Sequence, residues 1–340
     1  MTIKVGINGF GRIGRLALRE SFDSQDFEVV HINECAGDAK TAAYLLQFDS
    51  IHGVWQKDIG ADEQLRHLTI DPARIGYSQC SNIDDTPWAE AQIDLMLECT
   101  GQFKTLESLA PFFDQNIKRV VVSAPIKGYP EDQVLNVVMG VNDTKVHQQS
   151  IVTAASCTTN CLAPVIDVLH KEFGIIHGSM TTIHDITNTQ SVLDQFHSDP
   201  RRARASSLSL IPTSTGSATA ITEIFPELKG RLNGIAVRVP MANASLTDCV
   251  FELGSSVTTT DINEALSDAA QGRLKGILGY EDRPLVSVDY TNDRRSGIVD
   301  GLSTMVIDGT QVKVLIWYDN EVGYVNRMIE LAAKLARSIE

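Results

Sequence analysis

The chain of 340 residues has no run of about 18 apolar residues, so no stretch of it reads as a bilayer-spanning helix. Positive charge is scarce: 29 Lys and Arg stand against 43 Asp and Glu, for a formal net charge of −14. That balance argues against nucleic acid or an anionic membrane as the main partner, because both need a basic face. Six cysteines, at 35, 80, 99, 157, 161 and 249, form no C-x-x-C pair and no regular framework. Free thiols in a reducing compartment are expected, with no metal site. Internal repeats and low-complexity tracts are missing. The opening Met1-Thr2-Ile3-Lys4-Val5-Gly6 reads as a strand, not as the apolar core of a secretory signal, and the expected location is the cytoplasm. The remaining composition, 43% hydrophobic and 21% charged, is that of a soluble globular protein. At about 100–200 residues per domain, two domains are expected.

Strand and helix signals alternate through the first 150 residues. Apolar, β-rich runs lie at Ile3 to Ile7, Phe27 to Ile32, Ile93 to Glu98, Arg119 to Ser123 and Val137 to Val141. Helical spacing between them predicts right-handed β-α-β units and a doubly wound parallel sheet. After about residue 155 the strands lengthen: Gly178 to His184, Asn233 to Val239, Leu246 to Leu253, Leu285 to Tyr290 and Lys313 to Tyr318. Fewer helices separate them, which predicts an α+β second domain with a mixed or antiparallel sheet. A long polar connection runs from His184 to Leu210, and Tyr324 to Ile339 has helical apolar spacing.

Gly9-Phe10-Gly11-Arg12-Ile13-Gly14 follows the first strand and opens a helix, the setting in which G-x-G-x-x-G cradles a dinucleotide pyrophosphate. The helix start adds unpaired N–H groups and a partial positive charge. The pattern also fits a turn with no ligand. Glu34 ends the second strand run, where an acid can accept from a ribose diol and oppose a 2′-phosphate, favouring NAD over NADP. A solvated loop acid is the plainer reading of it.

Ile151 to Cys161 passes from strand into helix, with Ser156 a natural N-cap and Cys157 in the first turn. A helix start stabilises thiolate, the nucleophilic form. Pro164 predicts a kink or distortion in this helix, and Cys161 reads as a buried neighbour. Among eight histidines, His184 at a strand end is the best-placed base, with Thr187-Asn188-Thr189 offering hydroxyl donors to an anion. Arg238 is an isolated cation in an apolar strand; a bound phosphate or a structural carboxylate would satisfy it.

Together, the stretches Ile7 to Arg15, Ala155 to Cys161, Thr182-Ile183-His184 with Thr187, Ile211 to Gly216, Arg238-Val239-Pro240 and Trp317 to Glu321 resemble the glyceraldehyde-3-phosphate dehydrogenase family. The resemblance implies a Rossmann-type NAD-binding domain (residues 1–156 and 320–340) and a catalytic domain (157–319), assembled as a homotetramer. It implies that Cys157 attacks the aldehyde, that His184 handles the hydroxyl proton, and that an acyl phosphate is released. Thr187, Thr189 and Arg238 would hold the substrate phosphate; Ser156, Thr158, Thr215 and Gly216 would hold the incoming oxyanion. Asn8, Gly9, Phe10, Gly11, Arg12, Ile13, Gly14, Glu34, Ser123 and Asn320 would contact the cofactor.

Ile186, Val322 and Gln195-Phe196 depart from the family's usual residues, as does Glu34 where Asp is commoner. Ser179 to Gln190 and Met241 to Cys249 resemble the form found in arsenic-resistance operons. That form implies arsenate as acceptor, giving 1-arseno-3-phosphoglycerate for export by a permease. Two further readings are erythrose-4-phosphate oxidation and a dinucleotide-binding protein without catalysis. The retained Thr187, Thr189, Thr215 and Gly216 favour a triose phosphate, and the Cys157–His184–Arg238 set favours an enzyme.

Overall fold

The computed structural model describes residues 2–62, 64, 66–146 and 149–339. The chain forms a two-domain α/β fold and divides into two compact units. One comprises Met1–Met139, Asp143–Ala155 and Val325–Glu340; the other comprises Gly140–Asn142 and Ser156–Tyr324.

In the first unit the strands pair in the order Val134–Asn136, Ile151–Thr153, Arg119–Val122, Leu95–Glu98, Ile3–Asn8, Phe27–Asn33, Ala73–Ser78, His67–Ile70, Ile59–Ala61. The first seven are mutually parallel. Leu95–Glu98 is buried at every position, as expected where helical crossovers cover a parallel sheet. Ile3–Asn8 lies between Phe27–Asn33 and Leu95–Glu98, so the strand order reverses there. In such sheets ligands bind beyond the carboxyl ends of the strands at that reversal. Two antiparallel strands, Ile59–Ala61 and His67–Ile70, extend one edge. Residues 137–141, expected as a strand, form none. The strand ends at Asn136, with one further bond from the Val137 N–H to the Thr153 carbonyl at 2.9 Å, and Gly140 turns the chain at φ +78°. Val137 and Val138 are nonetheless buried, and burial beyond the strand's end gives the same apolar run.

The second unit holds a mixed sheet. Ile175–His184 runs parallel to Leu232–Arg238 and antiparallel to Ser245–Leu253, which pairs in turn with Gln311–Tyr318. Ser245–Leu253 alternates buried and half-buried positions along its length, the period of a sheet packed more tightly on one face. The helix Cys157–Phe173 is buried at every position from Thr158 to Leu169, and it continues through Pro164. Residues 285–290, expected as a strand, instead enter the short 3-10 helix Ser287–Tyr290. Pro284 precedes it, the Asp289 carboxylate accepts the Val286 N–H at 2.9 Å, and Val286 and Val288 are exposed. Alternating β-branched residues there have no neighbouring strand to join. Residues 185–210 contain neither helix nor strand. All six cysteines are free thiols. Among the described residues, no helix is long and apolar enough to cross a membrane.

Candidate active site

The glycine turn joins the strand Ile3–Asn8 to the helix Arg12–Ser21. Each glycine has its own reason to be there. Gly9 sits at φ +90°, and a Cβ on it would lie 2.6 Å from the Thr100 nitrogen. A Cβ on Gly14 would meet the Gly9 carbonyl oxygen at 2.1 Å, so helix and strand approach closely only without a side chain. Gly11, the N-cap, faces open space and has no side-chain cap. A cleft of about 320 Å³ opens here, with Asn8, Gly9, Gly11, Glu34 and Thr100 in its wall.

The Glu34 carboxylate accepts from the Phe10 N–H at 2.7 Å and the Ala36 N–H at 2.9 Å, placing the expected ribose acid directly on the glycine turn. Arg12 sends its guanidinium to Asp49, 2.5 and 3.2 Å away, so its side chain braces the turn. Arg15, not anticipated from the sequence, donates to the Phe10 carbonyl at 2.9 Å. Phe10 is buried and Ile13 half-buried. Ser123 follows the strand Arg119–Val122, its N–H donating to the Glu98 carbonyl at 2.9 Å.

Behind the turn lies a buried polar network that sequence reasoning missed. Asn33 donates to Asn8 at 2.9 Å, and Asn8 donates to the Glu98 carboxylate at 2.6 Å. Thr100 gives the same carboxylate its backbone N–H at 2.7 Å and its hydroxyl. Burial drives the Glu98 carboxyl up to about 7 against these donors. The available signal was an acid closing the apolar run Ile93 to Glu98.

In the second unit Ser156 caps the helix Cys157–Phe173 by accepting the Thr159 N–H at 3.2 Å, an interaction contributing about 1 kcal/mol. Cys157 therefore sits in the first turn, where the helix dipole favours its anion. Its Sγ lies 3.6 Å from Nε2 of His184. Burial pushes the thiol up, but the hydrogen bond and charge of His184 outweigh it and the net direction is down. Burial likewise opposes the His184 charge, while Asp185 and Cys157 raise the imidazole to about 9. The Tyr318 ring stands edge-on to His184, and its hydroxyl bonds Thr158 at 3.0 Å and Thr182 at 2.8 Å. Burial keeps that phenol neutral.

Strand register explains Arg238. The parallel pairing of Ile175–His184 with Leu232–Arg238 sets Arg238 opposite His184. Nη1 lies 2.7 Å from His184 Nδ1 and donates to the Asp185 carbonyl at 3.0 Å; Nε is buried without a partner. Among the described residues no carboxylate forms an ion pair with Arg238, although the Asp185 charge acts on it. Thr187 and Thr189 place their hydroxyls 2.9 Å apart. Thr215 accepts the Ser217 N–H at 3.2 Å, and Gly216 caps the helix Ser217–Ile224. The hydroxyls of Ser156 and Ser217 lie 3.2 Å apart, which brings two helix starts together beside Cys157. Two helix N-termini with hydroxyl side chains favour a bound oxyanion. Asn320 is buried, with its Oδ1 unpartnered.

Residues 3–106 match the family model described as glyceraldehyde 3-phosphate dehydrogenase, NAD binding domain, and residues 156–320 match the C-terminal domain of the same family. The chain is 57% identical to glyceraldehyde-3-phosphate dehydrogenase 3 of a Nostoc species, over 100% of both chains. It is 47% identical to the glyceraldehyde-3-phosphate dehydrogenase of Geobacillus stearothermophilus, over 99% of each. Against glyceraldehyde-3-phosphate dehydrogenase 1 of Bacillus cereus it is 46% identical over 97% of each.

Proposed function

Since the chain belongs to the glyceraldehyde-3-phosphate dehydrogenase family and is an enzyme of that NAD-dependent type, we propose that Cys157 is its nucleophile and His184 its acid–base group. The observation that carries this reading is the 3.6 Å approach of Sγ to Nε2 at a capped helix start.

The Cys157 thiolate adds to the aldehyde carbon, and the carbonyl oxygen takes the His184 proton, leaving a neutral thiohemiacetal. His184 then withdraws that hydroxyl proton as the C–H bond is broken, and a thioester on Cys157 remains. Bound NAD would supply the hydride acceptor for this step. An inorganic oxyanion attacks the thioester carbon, the C–S bond breaks, and the thiolate returns as the acyl product leaves. The Cys157 backbone N–H, at the helix start, stabilises the developing oxygen charge.

The groups on the chain fit the cofactor. Gly11 leaves open space at a helix N-terminus, and Asn320 carries a buried amide oxygen in want of a donor, as a carboxamide supplies. Asn8, Gly9, Phe10, Gly11, Arg12, Ile13, Gly14, Glu34 and Ser123 would hold the dinucleotide, Arg12 and Ile13 through backbone at the helix start, and Asn320 would orient its carboxamide. Thr187, Thr189 and Arg238 bind the triose phosphate; Ser156, Thr158, Thr215 and Gly216 bind the acceptor. That acceptor is phosphate or arsenate, whose tetrahedral shape and charge are nearly alike; with arsenate the product is 1-arseno-3-phosphoglycerate. The functional domains run over 1–156 with 320–340 and over 157–319. The enzyme works in the cytoplasm and as a homotetramer; exposed Val192, Leu193, Phe196, Leu208 and Leu210 support the assembly.

NADH formation from glyceraldehyde 3-phosphate, followed by absorbance, is expected to accelerate on adding phosphate or arsenate. A rate indifferent to both oxyanions would remove the acceptor assignment.

A further inference from the structure

Asp185 takes no part in the bond changes of the reaction, yet it is built into the centre of the site. It directly follows the strand Ile175–His184 and is 0% exposed. Its Oδ1 lies 2.8 Å from His184 Nδ1, while neither carboxylate oxygen receives a hydrogen bond. The same Nδ1 lies 2.9 Å from the Asp185 backbone carbonyl, within hydrogen-bond reach, and the side chain adds a close negative charge. A carboxylate buried without donors is strongly unfavourable unless a cation sits beside it.

Every charged or titratable group facing the ring belongs to one set. Cys157 approaches Nε2 from the helix Cys157–Phe173. Arg238 approaches Nδ1 from the strand Leu232–Arg238. Tyr318, on Gln311–Tyr318, is neutral, and Glu321 acts on Asp185 at longer range. Burial raises the Asp185 carboxyl on balance, His184 pulls it back, and Asp185 in turn raises the imidazole; one proton serves the pair, and the ring is taken as its holder. Thiolate, imidazolium, carboxylate and guanidinium then sum to zero. With a neutral residue at 185, the same buried set carries one net positive charge. The ring beside Arg238 is then the group that gives up its proton.

Resting on the Cys157–His184 reading above, we propose that Asp185 is a positioning residue that holds His184 as imidazolium and so preserves the thiolate–imidazolium pair at alkaline pH. It sets the proton state of the catalytic base without touching substrate.

The test is the rate of Cys157 alkylation by iodoacetamide from about pH 5 to about pH 10, read by peptide mass, in the parent chain, Asp185→Asn and His184→Asn. The parent is expected to show a high-pH step that His184→Asn lacks. Asp185→Asn is expected to lower that step by about one pH unit or more. A step that stays in place in folded Asp185→Asn overturns the proposal. No His184-dependent step in the parent overturns the Cys157–His184 reading as well, which separates the two failures. Should Asp185→Asn not fold, ring ¹⁵N shifts of His184 in the parent decide. Imidazolium retained above about pH 8 supports the proposal, and titration near the ordinary 6.5 overturns it.

Discussion

The two units each bury a carboxylate beside their functional groups, and they treat it differently. Glu98 in the first unit is met by an amide, a hydroxyl and a backbone N–H, all neutral. Asp185 in the second is met by an imidazole at 2.8 Å. Neutral donors fill the lone pairs of Glu98 but leave its charge unbalanced, and its carboxyl is driven up to about 7. A cation beside Asp185 instead pulls against burial, which still leaves that carboxyl above its ordinary value, and spreads the cost over a set of four groups. The contrast extends to the sites themselves. The glycine turn exposes backbone at a helix start, whereas the thiol site presents paired side-chain charges.

If that division is right, the two sites can be disabled separately. The largest effect is expected for Cys157→Ser, with turnover falling by about 10⁴-fold or more while NAD affinity by titration stays unchanged; wild-type turnover would take the thiol out of the mechanism. Gly14→Ala is expected to do the reverse. Its Cβ would meet the Gly9 carbonyl at 2.1 Å, costing about 3 kcal/mol in chemical denaturation and weakening NAD binding, with Cys157 alkylation unaffected. A Gly14→Ala protein that binds NAD normally would break the comparison.

Glu98 gives a pH signature. Its carboxyl titrates at about 7 folded against an ordinary value of 4.5. Between those values the folded chain keeps a proton that the unfolded chain has released. Stability therefore falls as pH rises through that window, by up to about 3 kcal/mol. Glu98→Gln is expected to flatten the fall, and an identical slope in both proteins would show that Glu98 is not its source. The smallest effect is expected at Glu34. Glu34→Ala should lower the NAD over NADP ratio of kcat/KM by about one to two decades, the contribution of a charged hydrogen bond. An unchanged ratio would mean that this acid does not read the ribose.

The same division governs how much could be read from the sequence. The glycine turn is contiguous, and its three glycines answer to local sterics, so six letters were enough. Ser156 as N-cap and Cys157 in the first turn were legible for the same reason. Arg238 was visible as an unusual cation, but its partner was not, because strand register sets it opposite His184. Asp185 and Glu98 escaped notice because an acid at the end of an apolar strand looks the same whether solvated or buried. The strand expected at 137–141 had already ended at Asn136, with Val137 and Val138 buried beyond it, and the run at 285–290 turns instead into a 3-10 helix. Ile59–Ala61 and His67–Ile70, three and four residues long, are too short to signal strands, although His67–Ile70 alternates half-buried and buried positions.

The most direct measurement is an ultraviolet titration of the thiolate, with the Cys157 step identified by its loss in Cys157→Ser. Cys157 is expected to ionise below the ordinary thiol value of 9 in the parent and to move back up in His184→Asn. Ionisation at or above 9 in the parent, unmoved by His184→Asn, would contradict the account.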